Sequence, residues 1–193
     1  MDFKIVIGVL ATVVAFIGYV PYFKDIFSDK TKPHAFSWLI WGILTAIGFF
    51  GQVADNAGPG AWVTGFTAFV CFLIAGLGFI KGRKNIVLID WLSLVGSGIA
   101  LYLWYLTDSP LWSVILITLI DAVAFFPTFR KSYFKPNEET LITYFLSGIK
   151  FLISLFALTN FSLITSLYPI SLVVMNFAFI AMLYVRRRQL KEK

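Results

Sequence analysis

The chain has 193 residues, 59% of them hydrophobic and 13% charged, with a formal net charge of +6. A soluble domain carries about 25% charged residues, so this composition excludes an ordinary soluble fold and marks an integral membrane protein. In a soluble chain the positive balance would point to nucleic acid; here it has to be weighed loop by loop against the bilayer, and no nucleic-acid partner is expected.

A helix needs an apolar run of about 20 residues to span a bilayer, because lipid cannot satisfy bare backbone groups. Seven such helices are predicted, over residues 4–23, 35–53, 61–80, 86–106, 111–129, 140–158 and 162–185. The first begins at a single lysine, Lys4, runs past signal-peptide length and reads as a retained helix. It ends in "VPYFKDIF", where Pro21 is followed at once by Lys24 and Asp25. The second opens after Pro33 and His34. A lone His with no Cys, Asp or second His nearby gives no metal spacing, so His34 reads as an interfacial helix-start residue. Asp55, Asn56, Gly58 and Gly60 predict a tight turn before the third helix. That helix carries Gly65, Ala68, Ala75, Gly76 and Gly78, small residues that favour close packing, and the lone cysteine, Cys71. In the fourth, Asp90 lies one turn from the interface, within snorkelling reach of Arg83 or Lys84. The fifth holds Asp121 near its centre and ends in "FPTFRKSY", with Pro127; the sixth holds Lys150 at its centre and the seventh Asn176.

Apart from Lys4 and Lys150, every Lys and Arg falls in the first, third or fifth loop or in the C-terminal tail. The positive-inside bias then predicts a multi-pass protein of the cell inner (plasma) membrane with its N-terminus outside and C-terminus cytoplasmic. Trp38, Trp41 and Trp91 fall towards the cytoplasmic helix ends and Trp62, Trp104 and Trp112 towards the outer ends, as interfacial belt anchors do. Trp41 lies a turn deeper than Trp38 and is also a candidate for stacking on a solute.

Shifting the chain by 106 residues pairs Thr12, Pro21, Phe23, Gly42, Ile43, Ile47, Phe50, Ile74, Ala75 and Leu77 with identical residues, without gaps. Trp38 meets Tyr144 and Trp62 meets Tyr168. The expected architecture is therefore all-α: two parallel three-helix repeats (residues 4–80 and 111–186), a connector helix (86–106) and a basic tail (187–193), in one membrane domain. An odd connector leaves both repeats in the same orientation.

This layout, with Pro21 and Pro127 near the inner ends of the first helix of each triplet, resembles the SWEET and PQ-loop superfamily of small-solute transporters. In place of the PQ dipeptide stand Pro21-Tyr22 and Pro127-Thr128, and of the paired third-helix asparagines only Asn176 is present, opposite Val70. The resemblance implies alternating access between the two bundles, with a small-molecule solute as partner beside the lipid bilayer, and leaves a homo-oligomer open. The two prolines either hinge an inner gate or only terminate their helices.

A charge at the bilayer centre costs about 2.5–3.5 kcal/mol on insertion scales. Asp121 and Lys150, at similar depth on adjacent helices, are thus expected to face each other, with Asn176 taking remaining donors. They are either a structural ion pair or, with Asn176 and Trp41, a site where a solute or proton competes. Their repeat mates Ala15, Leu44 and Val70 are apolar, which predicts one polar and one apolar half. No paired catalytic carboxylates, HExxH, G-x-S-x-G or phosphate loop occurs, so no enzyme, cofactor or metal is expected. The function expected is transport of a small polar solute; the alternative is a non-transporting receptor or sorting protein on the same fold.

Overall fold

The computed structural model describes residues 2–31, 33, 35–81, 88–107, 109–134 and 136–191. His34, Lys32, Lys135, the third loop (82–87) and the side chains of Asp90, Trp104 and Pro127 lie outside the described residues, so the expectations placed on them are not addressed. Among the described residues the fold is helical throughout. Helix α1 spans Phe3–Phe27, α2 Ala35–Ala54, α3 Trp62–Lys81, α4 Leu88–Thr107, α5 Pro110–Phe134, α6 Leu141–Phe156 and α7 Leu163–Lys191. Short 3-10 turns at Gly58–Ala61 and Pro136–Glu138 precede α3 and α6. Four stretches, Phe3–Phe27, Ala35–Ala54, Gly58–Lys81 and Leu163–Leu190, are long and apolar enough to cross a bilayer. The protein is built as a multi-pass membrane protein.

The reversal of polarity inside and out fits that solvent. Helix α1 buries Gly8, Ala11, Ala15, Gly18, Tyr19, Tyr22 and Ile26, a face of three- and four-residue spacing made, Ile26 apart, of small and hydroxylated side chains. Its opposite face exposes Val9, Leu10, Val13, Phe16, Ile17 and Val20. In water that arrangement would be costly; in lipid the exposed face costs nothing and the polar face has to find partners inside. Small residues let it do so at close range, as at Gly18, where a Cβ would stand 3.0 Å from Leu146 Cβ on α6.

Helix α3 packs against both α1 and α2, and α7 against both α5 and α6. Between these triplets α1 lies on α6 and α2 on α5, while α4 packs against α2 and α5. Two ends are defined by what meets there. At one end Lys4, Asp55, Ala57, Leu158 and Ser162 come together, which gathers the starts of α1, α3 and α7 and the finishes of α2 and α6. Gly51 on Val114 adds the start of α5. At the other, Asp29 meets Lys81 and Arg187 meets Pro136 and Glu139. The first is called the neutral end and the second the basic end.

Two boundaries run past their expected limits. Helix α1 continues through Pro21 to Phe27 and α5 through position 127 to Phe134, so neither proline terminates its helix. Pro21 only withdraws one backbone donor from a turn that neighbouring bonds hold in place. The basic run after residue 185 is likewise helical, to Lys191. Arg186 Nε donates to Tyr133 O (3.0 Å) and Arg187 to Pro136 O and Glu139 O (both 2.8 Å), which ties this last turn to α5 and its following loop. Cations also suit a helix C-terminus.

Candidate functional site

A cavity of about 70 Å³ opens between the two triplets, and its described lining comes from α1, α2, α3, α5, α6 and α7. At about 10–15 Å³ per water, it has room for a few waters or one small solute. About half of the described lining is aromatic: Tyr19 and Tyr22 from α1, Trp38 and Trp41 from α2, Phe125 from α5, Tyr144 and Phe151 from α6, and Tyr168 from α7. The polar lining is Thr45, Thr67, Cys71, Asp121, Thr143, Ser147, Lys150 and Asn176.

All four residues expected to bind solute or to couple transport, Asp121, Lys150, Asn176 and Trp41, stand on this wall. Asp121 and Lys150 are each 1% exposed, so both charged groups point inward as expected. They do not pair with each other. Lys150 Nζ donates to Tyr19 Oη and to Thr67 Oγ1, both at 2.9 Å, and lies 4.3 Å from the centroid of the Tyr19 ring and 4.9 Å from that of Phe151. Thr67 gives its own proton to Val63 O (2.7 Å), which leaves its lone pairs to accept from the ammonium. A hydrogen bond to a charged group is worth about 1.5–3 kcal/mol and a desolvated cation–π contact about 2 kcal/mol. Together they outweigh the insertion cost of a lysine, so Lys150 is held without a carboxylate. Asp121 is the opposite case: among the described residues neither carboxylate oxygen has a hydrogen-bond partner.

Asn176 also departs from expectation. Its amide donates to Leu172 O in its own helix (2.7 Å) and not to either charge. The expected polar and apolar halves are corrected as well. The residues 106 positions before the charges are apolar, but the first triplet supplies Tyr19 and Thr67, the two acceptors of Lys150.

The tryptophans divide. Trp62, Trp91 and Trp112 are exposed, as belt anchors are. Trp38 and Trp41 turn inward instead: Trp38 Nε1 donates to Tyr22 Oη (3.1 Å), and Trp41 packs edge-on to Trp38 and against Phe125. Trp41 Nε1 is buried with no acceptor, as is Thr143 Oγ1 with no partner. Across the cavity Thr45 and Tyr168 share a hydroxyl–hydroxyl bond of 3.2 Å.

The neutral end of the cavity is closed by bonds between the triplets. Thr159 N donates to Ala57 O (2.9 Å), Asn160 Nδ2 to Asp55 O (3.1 Å), Lys4 Nζ to Leu158 O (2.8 Å) and buried Gln52 Nε2 to Thr165 O (2.8 Å). Ser162 Oγ bonds to the Asp55 carboxylate. Ala57, Ala61 and Leu158 form a buried apolar plug there, with Phe49 and Leu155 beside it. The expected turn lies here: Asn56 and Gly58 adopt positive φ (56° and 63°), and a Cβ at Gly58 would collide with Thr159 Oγ1. Sequence reasoning took these residues as a simple outer turn and missed that the turn is clasped by the α6–α7 connection. Neither segment carries a signal of the other.

Among the described residues no three His, Cys, Asp or Glu side chains are grouped to hold a metal ion. No protein-family model matches the chain, and neither the curated proteins nor the solved structures give a match.

Proposed function

We propose that the protein transports a small polar solute by alternating access between two parallel three-helix bundles, α1–α3 and α5–α7, with α4 as connector. The observation that carries this reading is the cavity between the bundles, with two buried charges on its wall and, among the described residues, a bonded seal concentrated at one end. A polar site at a repeat interface near mid-depth is what such transport requires, and intramembrane ionisable groups mark solute or ion paths.

The repeat itself has support from the packing. Four pairs at the 106-residue offset have both members on the cavity wall: Tyr19 and Phe125, Trp38 and Tyr144, Trp41 and Ser147, Thr45 and Phe151. Gly42 and Gly148, another such pair, each receive a phenylalanine ring from the third helix of their triplet, Phe72 and Phe177. Thr12 and Thr118 each donate to the carbonyl four residues back. The α1–α6 contact has its counterpart in α5–α2. These features agree with a SWEET and PQ-loop type of arrangement with seven spans. Loop charge places the neutral end outside and the basic end in the cytoplasm of a plasma membrane, so the described conformation is closed outward. Pro21 and Pro127, inside continuous helices near the basic end, are then hinge positions of the inner gate.

Uptake by the purified protein in proteoliposomes, across a panel of sugars, vitamins and amino acids, tests the reading. Saturable uptake of one class, abolished by filling the cavity with Ser147→Trp, is expected. Saturable binding with no uptake of any solute would replace transport by a receptor function.

A further inference from the structure

We infer that the cavity binds a small zwitterion, with the solute's ammonium on Asp121 and its carboxylate or equivalent anion on Lys150. This deepens the reading of the cavity as a solute site and rests on it, though not on movement across the membrane. Both charges line one cavity and both are 1% exposed, yet they make no bond to each other. Leaving a buried carboxylate without partners costs several kcal/mol, and its two free oxygens accept only donors. Lys150 Nζ has spent two of its three N–H groups on Tyr19 and Thr67. The third remains for an acceptor, and the unpartnered Nε1–H of Trp41 on the same wall is a further donor for it.

The charge balance selects the class. A simple anion entering this cavity would meet Lys150 but also the carboxylate of Asp121; a simple cation would meet Asp121 but also the ammonium of Lys150. In a medium of low dielectric constant such like-charge contacts are heavily penalised. A neutral polyol fits by size and satisfies donors and acceptors, but it forgoes the charge-assisted bonds that are about twice as strong as neutral ones. Only a molecule carrying both charges meets both groups favourably. The volume of about 70 Å³, room for a few waters, suits a solute as small as a small amino acid, and the aromatic wall around Phe125 and Phe151 suits a short apolar side group. Because the two cavity charges cancel and the zwitterion is neutral overall, the solute's own movement would shift no net charge across the membrane.

The test uses full-length wild-type protein and four probes: L-alanine, its two half-analogues ethylamine and propionate, and glucose. Alanine is expected to bind at least about tenfold more tightly than either half-analogue, the equivalent of one charge-assisted bond. Asp121→Asn should weaken alanine by about tenfold or more and leave propionate no weaker. Lys150→Gln should weaken alanine and propionate and spare ethylamine. That crossed pattern cannot come from a misfolded variant. Half-analogues that bind as well as alanine, glucose in place of alanine, or no alanine binding to wild type would overturn the inference. Alanine binding without uptake would leave it standing and remove transport; uptake of another solute with no alanine binding would do the reverse.

Discussion

At the neutral end the two triplets are tied to each other, whereas at the basic end the bonds described mostly turn back onto their own triplet. Gln52, Asp55 and Ala57 of the first triplet bond to Thr165, Ser162 and Thr159 of the second, beside a buried apolar plug. At the basic end Trp38 bonds to Tyr22 and Lys81 pairs with Asp29 within the first triplet, and Tyr144 bonds to Glu139 within the second. Thr140 Oγ1 to Asp25 crosses between them, at 3.3 Å. The difference teaches where the bundle can part. Bonds within a triplet survive a rigid-body movement of one triplet against the other; bonds between triplets do not.

The neutral-end seal can be broken sterically, and that should have the largest effect. A Cβ at Gly60 would stand 2.8 Å from Leu158 N and 2.9 Å from its Cα. Backbone cannot give way as a side chain does, so Gly60→Val is expected to cost about 3 kcal/mol, the upper part of the overpacking range. It should also hold the two triplets apart there. A lowered thermal midpoint in detergent checks the first expectation. Gln52→Leu is milder: it removes a buried bond and strands the Thr165 carbonyl, for about 1–2 kcal/mol. Thr140→Val at the basic end should be the smallest, about 0.5 kcal/mol or less for a long, partly buried bond. If Thr140→Val destabilised the protein as much as Gln52→Leu, the contrast between the ends would be lost.

How much of this was legible in the sequence depended on whether the signal was local. Helix positions were, because an apolar run between charged loops is a local property; the observed α2 and α3 differ from the expected spans by a residue. The inward direction of Asp121 and Lys150 was legible too, since lipid leaves a charge little alternative. The partners were not. Nothing in the sequence of α6 says that Tyr19 and Thr67, on two other helices, reach Lys150 while Asp121 does not. Tyr19 and Tyr22 did carry a signal, lying on the same small-residue face of α1 as Ala11 and Ala15. Trp38 misled because an indole near a helix end fits a membrane belt as well as an inner wall, whereas for Trp41 both readings were open and the inner wall is the one observed. Of the two readings of the prolines, helix termination did not hold at Pro21, since continuation past a proline depends on packing around the freed carbonyl.

Cys71 provides the most direct test of the contrast between the ends, being the chain's one cysteine and part of the cavity wall. Sealed vesicles of known orientation, treated on either face with a small membrane-impermeant thiol reagent, report which end of the cavity meets water. The account predicts that Cys71 reacts from the basic side and stays protected from the neutral side, with Gly60→Val and Gln52→Leu restoring reaction from the neutral side. Reaction of the unmodified protein from the neutral side, or from neither side, would contradict it.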